Sequence, residues 1–227
     1  MKTQSLDTHP DIERMLVHLI RNAPVSKRFR LIQSLTQGTL WSNIQAWRER
    51  HPNMGEQEAA VEVISCWYGP ILAARVQMAL AQRERWSLQP IDLLTVMLPA
   101  LHLFEERNAF CYLGGSIASS IYGMQQMAQD IDLVVDLDGQ DLTSLLSLLK
   151  QVYVFDEDAF QEAVCRRTTC SLIHLDTLMK VDLIPLKRRA FTREEARRAQ
   201  PQVLEAGTPP LKVATAEDAI LTKLEWF

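Results

Sequence analysis

The chain has 227 residues, 47% of them apolar and 23% charged, with a net charge of −4 at neutral pH. That is the composition of a globular protein long enough to bury a core without disulfide or metal staples. It excludes a disordered or collagen-like chain and, on overall charge, a strongly basic nucleic-acid binder. The uncharged run Leu93 to Phe104 is 12 residues long and contains Pro99. A membrane-spanning helix needs roughly 20 apolar residues, so no membrane association is expected. The polar stretch Met1 to Pro10 has no apolar signal-peptide core, which predicts a cytoplasmic protein. Cys66, Cys111, Cys165 and Cys170 show no C-x-x-C spacing and no accompanying His pair. They predict buried, reduced thiols rather than a zinc site.

Charge divides the chain. Residues 1–100 carry 11 basic and 9 acidic residues, whereas residues 101–227 carry 13 and 19. The shift suggests two modules, a helical region over residues 1–105 and a second unit over residues 106–227. In the first, Ile12, Met15, Leu16, Leu19 and Ile20 recur at helical spacing until Pro24. Phe29, Leu31, Ile32, Leu35, Leu40, Ile44 and Trp47 fit a long amphipathic helix with a weak point at Gly38. His51 to Gly55 reads as a turn. A helix from Glu56 is punctuated by Gly69-Pro70, and Ile71 to Trp86 continues as another. Pro90 opens a helix over Ile91 to Glu106 that is apolar on nearly every face and therefore buried. Trp41, Trp47, Trp67 and Trp86 are assigned to the helical core.

The second unit alternates between strands and helices. Phe110 to Leu113 and Ile131 to Val135 predict strands, Ser116 to Tyr122 one or two helical turns, and Asp141 to Lys150 a helix. Leu172 to Leu175 and Met179 to Pro185 predict a hairpin about Asp176-Thr177. His102 and His174 are expected to be structural. Thr215 followed by Asp218 is a capping box that opens a last helix. That helix runs into Glu225-Trp226-Phe227 without a C-cap, as if the natural chain continued or this end packed on a partner. The fold class expected is α+β, a helical N-terminal region followed by a small mixed sheet flanked by helices.

Three features carry chemistry, and they fall in order. Leu113-Gly114-Gly115-Ser116 runs from a strand through a glycine turn into a helix. There the backbone can approach a phosphate, and free N–H groups meet it at the helix start. Asp130-Ile131-Asp132 places two carboxylates on one face of a strand. Such a pair repels unless a cation joins it, and Mg²⁺ takes oxygen ligands of this kind. In Lys180-Val181-Asp182-Leu183-Ile184, Asp182 would complete a three-carboxylate cluster if its strand lies beside the first.

Taken together, the glycine–serine turn, the D-x-D pair and the later Asp resemble the DNA polymerase beta-like nucleotidyltransferase superfamily. The likeness is narrowest to the minimal nucleotidyltransferases and to the nucleotidyltransferase toxins of bacterial toxin–antitoxin systems. It covers residues of about 110–227, and the helical region has no counterpart in it. The resemblance implies that Gly114, Gly115 and Ser116 hold the NTP phosphates. It implies that Asp130, Asp132 and Asp182 bind two Mg²⁺ ions and form the catalytic set, and that Lys223 reaches the nucleotide from the last helix. The implied reaction transfers a nucleoside monophosphate to a hydroxyl on an RNA end or a protein side chain. The implied partners are the nucleotide, tRNA, and a toxin or antitoxin protein. Where relatives place a basic residue and a hydroxyl before the first Asp, this chain has Gln126 and Ala128. The alternative is a catalytically degenerate module that binds a partner, and a small-molecule nucleotidyltransferase is a third possibility. Lys187, Arg188, Arg189, Arg193, Arg197 and Arg198 place six basic residues within 12 positions. They form either a solvated helix with i,i+4 pairs such as Glu194–Arg198 or a patch that meets phosphates.

Overall fold

In the computed structural model, residues 8–83, 85–123 and 125–225 are described. The helical region consists of α1 (Pro10–Asn22), α2 (Val25–Arg50), α3 (Glu56–Tyr68), α4 (Pro70–Ala81) and α5 (Leu93–Glu106). α2 runs through Gly38 unbroken, because Phe29, Ile32, Thr36, Leu40 and Ile44 keep one face buried across it. α4 stops at Ala81, short of the predicted Trp86, and the segment beyond it turns toward the sheet. Pro99 lies inside α5, whose Leu93, Leu94, Val96, Met97, Ala100, Leu103 and Phe104 are buried.

The second half runs β1 (Cys111–Leu113), α6 (Gly115–Tyr122), β2 (Asp130–Val135), α7 (Leu142–Leu149), β3 (Tyr153–Val154) and α8 (Glu157–Arg166). It continues with β4 (Cys170–His174), β5 (Lys180–Pro185), α9 (Ala190–Arg198), β6 (Gln200–Gln202), β7 (Leu211–Val213) and α10 (Ala216–Leu224). Ten helices and one seven-stranded mixed sheet are present among the described residues, an α+β fold. The strand order is β3-β4-β5-β2-β1-β7-β6. β2 runs parallel to β5 and antiparallel to β1, and the predicted hairpin is the antiparallel β4–β5 pair. Thr215 caps α10 through its hydroxyl, as its spacing to Asp218 predicts. Trp226 and Phe227 lie outside the described residues.

Buried residues from Phe29 to Ala214 form one cluster, so α2–α5 and the sheet share a core. The four tryptophans noted above pack partly buried against it. Polar contacts from the helical region also fix the strand ends. Trp86 Nε1 donates to the Leu175 carbonyl at 2.8 Å, and the Gln89 N–H donates to the Asp176 carbonyl at 2.8 Å. His174 is buried against Thr177 at 3.0 Å, a structural histidine. The thiols depart from expectation: Cys170 is buried, but Cys66 and Cys165 are exposed, because they fall on the solvent sides of α3 and α8. No helix among the described residues is long and apolar enough to cross a membrane.

Candidate active site

The period of a strand decides what β2 shows on each side. Ile131, Leu133 and Val135 are fully buried, which turns Asp130 and Asp132 to the opposite face. β5 pairs in parallel with the register Asp130↔Lys180 and Asp132↔Asp182. Residues opposite each other across a parallel pair share a face. The three carboxylates therefore gather on two neighbouring strands, together with Lys180.

The glycine turn lies against this face from the β1 side. The Gly114 N–H donates to the Asp132 carbonyl at 2.9 Å, and Gly115 opens α6 with φ +57°. A Cβ on Gly115 would fall 1.6 Å from Asp132 Oδ2 and 2.4 Å from its Cγ. No other residue fits there. Gly114 is under no such demand, since a Cβ would meet nothing closer than Val134 at 3.7 Å. The Ser116 N–H hydrogen-bonds the Asp132 carboxylate, while the Ser116 hydroxyl is buried with no partner among the described residues.

The electrostatics of the face are uneven. Burial pushes the Asp132 carboxyl up to about 7, and the charges of Asp130 and Asp182 push in the same direction. Lys180 Nζ lies 3.2 Å from Asp130 Oδ2 and 2.8 Å from Asp182 Oδ2. Burial alone would lower the Lys180 pKa, but its bonds to Asp182 and Asp130 outweigh burial and raise it. The Ser171 hydroxyl, on β4, donates to Asp182 Oδ1 at 2.6 Å. Both Asp182 oxygens are thus engaged.

The helical region reaches the same face. At the C-terminus of α3, the Tyr68 hydroxyl donates to the Gln129 carbonyl at 2.6 Å, one residue before Asp130. The Tyr68 ring lies 5.5 Å from Lys180 Nζ, and burial raises the pKa of its phenol. Thr36, on α2, accepts from the Ala128 N–H at 2.9 Å. Ala128 is buried and Gln126 exposed. Tyr68, Thr36 and Ser171 escaped the sequence, because long-range contacts leave no local signature. Lys180 had one, since a residue two before Asp182 in a strand must share its face.

Lys223 is exposed on α10, and no hydrogen bond or ion pair joins it to the carboxylates or the glycine turn. The basic segment is largely paired. Arg188 meets Asp138, Arg189 meets Glu225, Arg197 meets Glu194, and Arg198 meets Asp218. The predicted Glu194–Arg198 pair is therefore replaced by Glu194–Arg197, since Arg198 reaches the more buried Asp218. These ion pairs are the pattern of the solvated helix, with Arg188 and Arg189 just before its start.

Three carboxylates on one face are the donor chemistry that a hard divalent cation takes. On the same face Asp132 is raised and the Ser116 hydroxyl has no hydrogen-bond partner among the described residues. Yet among the described residues no three acidic, His or Cys side chains are arranged to hold a metal ion as they stand. The carboxylate oxygens are of the type such an ion takes, and as they stand the Lys180 ammonium lies between two of them. No protein-family model matches this chain, and no curated protein matches it.

Proposed function

We propose that this chain transfers a nucleoside monophosphate from an NTP to a hydroxyl acceptor, releasing pyrophosphate, at the carboxylate-bearing face of β2 and β5. The observation that carries this reading is the β2–β5 register, which gathers Asp130, Asp132 and Asp182 beside the glycine turn at the start of α6. Asp130, Asp132 and Asp182 would hold two Mg²⁺ ions, which when bound supply charge neutralisation and an in-line clamp on the reacting oxygens. Gly114, Gly115 and Ser116 take the triphosphate, with the N–H groups at the start of α6 and the free Ser116 hydroxyl as donors. Asp182, one strand farther from the turn, faces the acceptor side. The acceptor hydroxyl gives up its proton to solvent and its oxygen bonds to the α-phosphorus as the bond to pyrophosphate breaks, and positioning does most of the work. Lys223 is assigned to the triphosphate from α10, which packs on α6. The resemblance favours an RNA end, tRNA included, or a protein side chain as acceptor, in a cytoplasmic toxin–antitoxin setting.

The test is transfer of label from each α-labelled NTP, with Mg²⁺, into RNA and into protein. The expected result is labelling that disappears when Asp130 and Asp132 are both replaced by Asn. Labelling retained in that double variant would overturn the assignment. A second reading, a degenerate module that binds a protein partner, is favoured by one feature. Ala128, where relatives carry a hydroxyl, is buried with its N–H spent on Thr36. Absence of any NTP binding in the presence of Mg²⁺ would select it.

A further inference from the structure

We propose that Lys180 is a tethered cation that competes with divalent metal for Asp130 and Asp182, so that metal occupies this face only as the ammonium leaves. The inference rests on the reading of the face as a divalent-metal site.

The geometry supports competition rather than coexistence. Lys180 Nζ stands between the two strands, 3.2 Å from Asp130 Oδ2 and 2.8 Å from Asp182 Oδ2. The second Asp182 oxygen already accepts from Ser171. A cation that takes Asp182 therefore meets two donors already on it, and of these the ammonium carries a charge like its own. Two cations sharing those oxygens in a partly buried site repel strongly. The four-carbon stem of Lys180 is flexible, so the ammonium can swing off the carboxylates. Where it stands it also lies 5.5 Å from the Tyr68 ring, within the roughly 6 Å over which an aromatic face attracts a cation, a contact it gives up on leaving. In the metal-free protein the same ammonium is, among the described residues, the positive charge paired directly with this acid group. It lets three carboxylates share a face without an ion.

The experiment is calorimetric titration of the full chain with Mn²⁺, for the wild type, Lys180→Met and Lys180→Arg. Lys180→Met should bind Mn²⁺ roughly tenfold more tightly or better, since the competitor is gone. Lys180→Arg, which keeps a cation, should stay near the wild type. A purely structural lysine would lower the melting temperature on removal without raising metal affinity. Equal affinity in the wild type and Lys180→Met overturns this inference and leaves the metal site standing. Absence of Mn²⁺ binding in all three proteins overturns both. Should Lys180→Met fail to fold, the measurement moves to the wild type. Its Lys180 ¹³Cε resonance, identified by its loss in Lys180→Arg, should shift on Mg²⁺ addition. A Lys180 signal that stays fixed while the aspartate carboxyl signals move overturns the inference.

Discussion

At the α9–α10 corner Asp218 is 1% exposed, and both of its oxygens are answered. Arg198 donates to them at 3.0 and 2.5 Å, and the Thr215 hydroxyl adds a third bond at 2.7 Å. Those Arg198 bonds hold the carboxyl below the usual carboxylate range. At the β2–β5 face three carboxylates meet one paired ammonium, and Asp132 is driven up to about 7. One corner is a finished structural ion pair. The other is under-compensated, in the way that sites built to receive something charged tend to be. Charge balance separates the two clusters: one cation answers one carboxylate at the corner, and one ammonium stands among three carboxylates at the face.

The largest expected effect comes from breaking the under-compensated face at its turn. Gly115→Ala puts a Cβ into Asp132 and an L side chain at φ +57°. It should destabilise the fold by about 3 kcal/mol and abolish divalent-metal binding, as read by urea denaturation and calorimetry. Next, Arg198→Ala strips the structural corner. It should cost about 2 kcal/mol, below the figure for a fully buried pair because Arg198 is 46% exposed. Metal binding should not change in this variant.

A smaller effect has opposite signs at the two corners. Asp132 titrates in the fold near 7, above its ordinary 3.8. Its favourable contribution to folding is full below pH 3.8 and is lost as pH rises toward 7. Asp218 is shifted downward, so its contribution is present above 3.8 and is lost as pH falls through its folded value. Asp132→Asn should therefore raise the melting temperature of the metal-free protein near pH 7 and flatten its decline between pH 4 and 7. The acid limb should keep its shape. A melting curve against pH in chelator checks both. Smallest is Tyr68→Phe, which removes the bond to Gln129 and keeps the ring beside Lys180. About 1 kcal/mol of stability should go.

Much of the face was legible in the sequence, because β2 and β5 announce themselves. Asp130 and Asp132 stand two apart, flanked by buried Ile131 and Leu133, and period two puts them together. That β5 lies beside β2 in register was only a condition in the sequence, and the parallel pairing meets it. The edge strands β3 and β6 were missed. Tyr153-Val154 is two residues long, and Gln200-Pro201-Gln202 carries a proline and no apolar alternation, so neither gives a strand signal. β7 and α8 were missed as well. The link between the helical region and the site was equally hidden. Thr36 and Ala128 are 92 positions apart, and Tyr68 and Gln129 are 61 apart. No spacing rule reaches that far, and residues 1–105 looked like an extension when in fact they hold the residues that precede Asp130.

The most direct measurement of the central claim is calorimetric titration of the purified protein with each NTP, with and without Mg²⁺, alongside Asp132→Asn. The under-compensated face predicts binding that requires Mg²⁺ and vanishes in the variant. NTP binding that ignores Mg²⁺ and survives in Asp132→Asn, or no binding at all, would contradict it.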